Sequence, residues 1–371
     1  MNFSYWEKEY LISPSDYLIV GMGLVGLQTA INLKEKYPKA IVTVIDRHGW
    51  GLGASTRNAG FGCFANISEI LDDLKNDTIK NVYETISKRY HGLIKLRKKF
   101  GDDNIDYQSK GSIEIFTHKN KNELHEAIDS LQGINTILSQ ELDLKRVFTY
   151  KNNNSLPNVI GTIHNDYEGQ LNTGKLYHTI YKYAQNLGIN LLGGLEVLNW
   201  ESNAEITIFT RQQINLRTKN LILCTNAFTP NLVDEDISPC RGQIIVSEKM
   251  EQLPIEGLYH YDNGYYYWRD IDDRILLGGA RNYDSIGETT NKIETSDVII
   301  SELKRFMEEQ ITGKPVAIEC QWSGIMGMGK SKQKIPIIKK IEPHVYVAAR
   351  LGGMGVALSA SVAEDIQKLL D

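Results

Sequence analysis

With 371 residues, 42% of them hydrophobic and 23% charged, the chain can bury a large core and has the composition of a globular protein of one elaborate domain or two. Its net charge of −5 supplies no general basic field, so nucleic acid is not an expected partner. The longest apolar stretch carries Gln28 and Asn32, which argues against a membrane span.

The opening MNFSYWEKEYLI has no basic region leading into an apolar core, and no secretory signal is expected. Cysteines 63, 224, 240 and 320 are too far apart for a CxxC or metal-ligand pattern, so a reduced, cytoplasmic protein without a metal is the simplest expectation. From Tyr17 the chain gains a definite order. Leu18, Ile19 and Val20 form a buried strand, and Gly21, Gly23 and Gly26 follow as GMGLVG. Leu27, Ala30, Ile31 and Leu33 recur at helical spacing. After Tyr37-Pro38, Ile41 to Ile45 form a second strand that stops at Asp46, the order of a dinucleotide-binding βαβ unit. Gly21 permits the turn, Gly23 removes a Cβ from the path of a pyrophosphate, and Gly26 lets helix and strand approach. The helix start at Leu24 and Val25 offers free N–H groups to phosphate. Asp46 stands where a carboxylate accepts ribose hydroxyls, while Arg47 beside it could invite a phosphate instead.

From Gly49 to Gly62 the chain is small, polar and glycine-rich, and includes Ser55, Thr56, Arg57, Asn58 and Gly60. Its backbone donors need partners, either along a surface loop or against a large planar cofactor. Two helical patterns occupy 67–100, an alternating strand covers Ser112 to Thr117, and helices are expected at Lys121 to Leu131 and Ser139 to Phe148. Asn152 to Asn154 reads as a short loop. A strand at Gly161 to His164 and a helix over Asn172 to Leu187 come next, then short strands through Ile214 to Arg217. The apolar run Leu221 to Cys224 is a buried parallel strand, which puts Thr225 and Asn226 at its carboxyl end. After Pro239 the pattern is mostly β, with segments at Gln243 to Ser247, Tyr259 to Trp268, Ile275 to Gly278 and Ala317 to Trp322, and a helix near Ser296 to Gln310. A strand at Val345 to Ala349, the turn Arg350 to Gly355 and a last helix close the chain. That second glycine turn repeats the anion-binding logic of the first, and the two share a crevice only if the dinucleotide domain is discontinuous.

Four motifs in this order, GMGLVG with Asp46, GASTRNAG at 53–60, RGQ at 241–243 and RLGGMGVALSA at 350–360, resemble the FAD-dependent D-amino-acid oxidase superfamily. The likeness covers nearly the whole chain and is greatest to the branch that includes glycine oxidase, monomeric sarcosine oxidase and γ-glutamylputrescine oxidase. It implies an α/β fold: a discontinuous, Rossmann-like FAD-binding domain at 1–95, 165–236 and 335–371, and an α+β substrate domain on an antiparallel sheet at 96–164 and 237–334. It further implies that Asp46 holds the adenosine ribose and that Val197 contacts the adenine. Ser55, Thr56, Arg57, Asn58 and Gly60 would line the pyrophosphate and flavin, and Gly352, Gly353, Met354, Gly355 and Val356 would reach the ribityl chain and pyrimidine. The arginine that grips the substrate carboxylate in glycine oxidase is absent here, where Gly352-Gly353-Met354 stands. No cysteine lies in Trp322 to Pro336, where sarcosine-oxidase-like proteins attach flavin, so non-covalent FAD is expected, with Cys63 as a lesser anchor.

The chemistry expected is oxidation of a primary or secondary amine, amino acid or polyamine-like, to an imine by hydride transfer to flavin N5 with O2 as acceptor. No Ser-His-Asp or Cys-His arrangement appears, and such hydride transfer requires none. The strand pair YHYDNGYYYWR is expected to face the substrate. Tyr265, Tyr267 and Arg269 share one face by the two-residue period, and Trp322 is a further wall. Arg269 could receive a carboxylate, as could Arg57 or Arg281. Three alternatives stay open: a dehydrogenase that passes electrons to a quinone or other carrier, an NAD(P)-dependent reductase, and a flavin-binding protein without catalysis.

Overall fold

The computed structural model describes residues 2–152, 156–330 and 334–370, so most of the expected Asn152–Asn154 loop lies outside the described residues. Two eight-stranded sheets organise the chain. The first is built on parallel pairing. Ser15–Val20 runs beside Val42–Asp46 on one side and Asn215–Leu223 on the other, and Asn190–Gly193 and Val345–Ala349 extend it outwards. Chain order therefore reverses between Ser15–Val20 and Asn215–Leu223, and this is where open α/β sheets leave a crevice at their carboxyl ends.

The βαβ reading holds in detail. Helix Leu24–Lys36 packs Leu27, Ala30, Ile31 and Leu33, all fully buried, against the sheet and against helices Ile79–Phe100, Thr173–Asn186 and Gly355–Leu369. The last helix is locked to the first by a buried Gln28 Nε2 to Ser359 Oγ hydrogen bond of 2.8 Å, although 331 residues separate them. The other face of the sheet buries Leu18, Val20, Ile45, Ile206 and Ile208, so strands Val197–Ser202 and Ile206–Thr210 cover it.

The second sheet runs in the spatial order Ile318–Met328, Ser238–Ser247, Arg274–Gly279, Tyr266–Ile271, Leu258–Tyr261, Ser112–Thr117, Val159–Asn165 and Phe148–Lys151. Among the described residues of this sheet, only the Leu258–Tyr261 and Ser112–Thr117 pair is parallel. One of its faces is an aromatic core. Tyr261, Tyr266 and Trp268 pack on Phe306 of helix Asp297–Phe306, with Tyr266 and Phe306 stacked at 4.3 Å, and Tyr259 stacks on Trp268.

Several expectations change. Lys121–Leu142 is one helix, not two, because burial of Ile134 and Leu138 outweighs the ~1 kcal/mol cost of Gly133. Asn135 of that helix accepts hydrogen bonds from the backbone N–H groups of Val147 and Phe148, and so fixes a strand at Phe148–Lys151 where a helix end was expected. Ile214 to Arg217 and Leu221 to Cys224 belong to a single strand, Asn215–Leu223. The Ala317 to Trp322 strand continues through its glycines to Met328, and Ile337–Glu342 was not anticipated. Among the described residues no helix is long and apolar enough to cross a membrane.

Candidate active site

The crevice predicted by the strand order is present. A cavity of about 410 Å³ opens at the carboxyl ends of Ser15–Val20, Val42–Asp46 and Asn215–Leu223. Gly21, Gly23, Asp46, Arg47, Ser55, Val197, Thr225 and Asn226 line it, as do His48, Leu195, Arg211, Phe228 and Ile325, which the sequence reading did not single out. Leu24, Val25, Gly26, Thr56, Arg57, Asn58, Gly60 and the Gly352–Val356 turn lie outside its lining.

The glycines behave as their geometry requires. Gly21 has φ +109°, and a Cβ there would stand 2.5 Å from the Cys224 carbonyl oxygen. A Cβ on Gly26 would stand 1.9 Å from the Gly21 oxygen. The Leu24 amide donates to Ser55 Oγ at 2.9 Å, whereas among the described residues the amides of Val25 and Gly26 donate to nothing. Two free N–H groups at the positive end of a 13-residue helix, beside a cavity, suit a phosphate. Asp46 does more than wait for a ribose: its carboxylate accepts from the Met22 and His48 amides, both at 2.9 Å. Each oxygen keeps a second lone pair for a hydroxyl. Arg47 lies with its guanidinium 3.9 Å from the Phe228 ring centre, as a wall of the cavity.

The small-residue segment is pinned by its own side chains. Asn58 donates to Ser55 O and accepts from Gly60 N and Thr173 Oγ1. Thr56 Oγ1 bonds Gly51 O, and Arg57 Nη1 reaches Ser323 O at 2.9 Å while Trp322 Nε1 reaches Arg57 O at the same distance. Arg57 and Trp322 thus join this segment to the second sheet. The C-terminal turn meets the same strand: Gly352 N donates to Gly327 O at 3.0 Å, and Leu351 N to Asn226 Oδ1 at 3.4 Å. Arg350 anchors it with bonds to Ile335 O and Asp236.

Strand register decides what faces these segments. Tyr267 lies between His260 and Gly278, Ile244 between Gly278 and Trp322, and Gly242 beside Gly324. These share the face opposite the aromatic core. Tyr267 and Arg269 are on it. Tyr265 precedes the strand, in the hairpin turn, and packs toward the aromatic core, so the expected shared face does not extend to it. Phe61 of the pinned segment packs edge-on against His260 and Tyr267, with ring centres at 5.3 and 5.5 Å. Tyr267 fills the space over Gly278, and Met326 bridges Gly242 to the Gly353 position.

Burial sets the charge here. It pushes the His260 imidazole down to about 4 and raises the Tyr267 phenol, so both are neutral near pH 7. Arg269 is buried behind Gly60 and pushed down to about 10, which leaves it protonated. The fold also gathers Cys63, Glu168 and His260 within 4.8 Å, although no spacing announced it. Glu168 is already engaged, accepting from the Phe64 and Ala65 amides and from Ser112 Oγ. Burial and the neighbouring Glu168 push the Cys63 thiol well up, and Arg269 opposes a cation nearby. The cluster reads as a structural knot.

An FAD-sized dinucleotide fits this cradle: a nucleotide-sized cavity, unspent helix amides, a ribose-height carboxylate, and two pinned segments leading from it to the second sheet. The chain belongs to the FAD dependent oxidoreductase family, DAO, whose model matches residues 16–369. It is a flavoprotein oxidoreductase that uses FAD, with a Rossmann-like FAD-binding domain and a substrate domain. It is similar to the probable oxidoreductase OrdL of Haemophilus influenzae, at 25% identity over 94% of this chain and 81% of that protein. Among solved structures it resembles glycine oxidase from Geobacillus kaustophilus, with TM-score 0.73, 17% identity and 96% and 94% of the two chains covered. It also resembles the L-α-glycerophosphate oxidase of Mycoplasma pneumoniae with FAD bound, with TM-score 0.76, 14% identity and 96% and 95% covered. Those two names span an amine and an alcohol substrate, so the fold alone leaves the substrate open.

Proposed function

We propose that the protein oxidises a primary or secondary amine to an imine, with O2 as the acceptor. The observation that carries this reading is His260. An alcohol substrate needs a base for its hydroxyl proton, and burial lowers the His260 imidazole on this face below its ordinary range. An amine can enter already neutral and needs no such group. Bound FAD supplies the hydride acceptor. The chain's own residues bind, orient and exclude water. Gly21, Gly23, Leu24, Val25, Gly26 and Asp46 hold the pyrophosphate and ribose end, with Arg47, Val197, Thr225 and Asn226 around it. Ser55, Thr56, Arg57, Asn58, Gly60 and the Gly352–Val356 turn frame the flavin end.

Over that end Tyr267 and Trp322 form an aromatic wall, backed by Ile244, Val246, Leu276 and Phe61, which keeps the reacting centre dry. Tyr267 stays a phenol and can donate or accept at Oη. Tyr265 stands on the aromatic-core side, Arg57 holds the Ser323 carbonyl, and Arg269 adds buried charge behind Gly60. Non-covalent attachment fits the buried, protonated Cys63. The strands support the proposed domain assignment: first-sheet strands fall within 1–95, 165–236 and 335–371, and second-sheet strands within 96–164 and 237–334 apart from the end of Val159–Asn165. The boundary at 95 falls within helix Ile79–Phe100, whose Gly92 packs on Ala357.

The test is anaerobic mixing of the yellow holoprotein with a panel of amines and of 2-hydroxy acids. Bleaching by an amine, with hydrogen peroxide formed when air is admitted, is the expected result. Bleaching by hydroxy acids alone would overturn the amine reading, and bleaching without peroxide would replace O2 by another acceptor.

A further inference from the structure

Resting on the reading that reduced flavin passes its electrons to O2, we propose that Met326 and Met328 are self-modification sites. Hydrogen peroxide released at the flavin end oxidises their thioethers to sulfoxides, and the sulfoxides disturb the C-terminal turn. Both methionines lie on strand Ile318–Met328, and strand register fixes the face they occupy. Trp322 pairs with Ile244, Gly324 with Gly242, Met326 with Cys240 and Met328 with Ser238. Facing partners share a side of the sheet, so Trp322, Gly324, Met326 and Met328 stand with Tyr267 on the face opposite the aromatic core.

That face meets both segments assigned to the flavin end. A Cβ on Gly324 would stand 3.2 Å from Arg57 Cβ of the small-residue segment. One on Gly353 would stand 3.8 Å from Met326 Sδ, and one on Gly352 would stand 3.7 Å from Met328 Sδ. Gly352 N donates to Gly327 O at 3.0 Å, between the two methionines, so strand and turn are held together there. On its other side Met326 reaches Gly242, whose Cβ would stand 3.2 Å from Met326 Cε and 3.9 Å from Tyr267 Oη. Two sulfurs therefore lie against the turn and beside the aromatic wall. Both side chains are partly exposed, which leaves a small oxidant a way in.

The chemistry favours these thioethers over the thiols nearby. A sulfur lone pair attacks one peroxide oxygen, the S–O bond forms and the O–O bond breaks, and the other oxygen leaves as water with both protons. Sulfur loses an electron pair and the peroxide gains it. That step needs no ionised sulfur. The thiols of Cys63 and Cys240 do need ionisation, and burial pushes both up, so they stay protonated. Each sulfoxide replaces a flexible apolar side chain by a polar one, directly against Gly352 and Gly353. Other methionines serve as internal controls. Met22 and Met307 are fully buried, Met354 packs toward the first-sheet core, and Met250 lies at the margin of the aromatic core on the far face.

The experiment cycles the holoprotein without any substrate. Its flavin is photoreduced with EDTA in the absence of oxygen, and air is then admitted in the dark with catalase present to clear peroxide from bulk solution. After repeated cycles, peptide mass mapping reads sulfoxide at each methionine, and a parallel sample receives hydrogen peroxide in the dark with its flavin oxidised. Sulfoxide at Met326 and Met328 is expected to run at least about tenfold ahead of Met250 in the cycled sample, and to lose that lead when peroxide comes from bulk. Wild type should shed flavin on cycling and regain it after treatment with methionine sulfoxide reductases, whereas M326L/M328L, loaded with FAD beforehand, should keep it. Equal selectivity in the two arms, or peroxide formed without sulfoxide at Met326 and Met328, overturns the inference. Reoxidation that yields no peroxide when catalase is omitted overturns O2 as the acceptor together with it. The amine panel is scored separately, by bleaching, so its failure is not confused with either result.

Discussion

Asp46→Asn separates the two duties of the fingerprint carboxylate. In the folded chain its oxygens accept from Met22 N and His48 N, both at 2.9 Å. Hydrogen bonds to a charged acceptor contribute ~1.5–3 kcal/mol each, and a buried donor left unpaired costs ~1–3 kcal/mol. Asparagine keeps one accepting oxygen and turns an N–H₂ toward the other amide, so one bond becomes a donor–donor contact. The flavin-free protein should lose ~2–4 kcal/mol, discounted toward the lower figure because the side chain is only partly buried. Urea unfolding of flavin-free wild type and variant, with amide exchange at Met22 and His48, measures this. Exchange at one of the two amides should rise at least tenfold, since ~1.4 kcal/mol is a factor of ten. FAD affinity should fall as well, and by more than the exchange change alone explains if the ribose is also held. A flavin-free variant as stable as wild type, with both amides still protected, would refute the structural duty and leave Asp46 a cofactor ligand only.

Gly23→Val should abolish stoichiometric FAD binding, because a Cβ there already stands 2.9 Å from the Ser55 Oγ that caps Leu24; retained yellow colour after gel filtration would contradict the phosphate assignment. Glu114 provides a pH signature. Burial raises its carboxyl to about 7 from 4.5 in the unfolded chain, so between those values the folded state binds more protons and stability falls as pH rises, by up to ~3 kcal/mol. Glu114→Gln should flatten that part of the stability–pH curve and leave the region below pH 4.5 unchanged. There Glu69, lowered to about 2 by Lys334 and Arg89 against the cost of burial, loses its contribution as pH falls.

The local grammar of the chain was sufficient for the βαβ unit, the closing glycine turn and most strands, because their causes are local. A positive φ at Gly21 and a forbidden Cβ at Gly26 are steric facts that nearby residues express. The buried strands repeat β-branched residues for the same reason. The two helices expected at Lys121 to Leu131 and Ser139 to Phe148 are one, because Ile134 and Leu138 decide the matter by packing on residues far away in sequence. Asn135, latching Val147 and Phe148, could not be seen from propensity at all.

Charge partners belong to the same second category. By sequence Arg57, Arg269 and Arg281 were equivalent carboxylate receivers. The fold gives Arg57 a carbonyl on Ser323 and buries Arg269 behind Gly60, and among the described residues it sets Arg281 against an aromatic ring with no acid paired to it. Likewise RGQ carried part of the family resemblance, and it is the clasp of a connection 45 to 53 residues downstream. Backbone conformation is set within a few residues, so the sequence alone determined the cofactor class, FAD, and the glycine turns that are proposed to hold its phosphates. Which side chain is satisfied depends on what the folded sheets bring beside it, so only the tertiary structure decided which charges are paired with an acid and which are not, among the described residues.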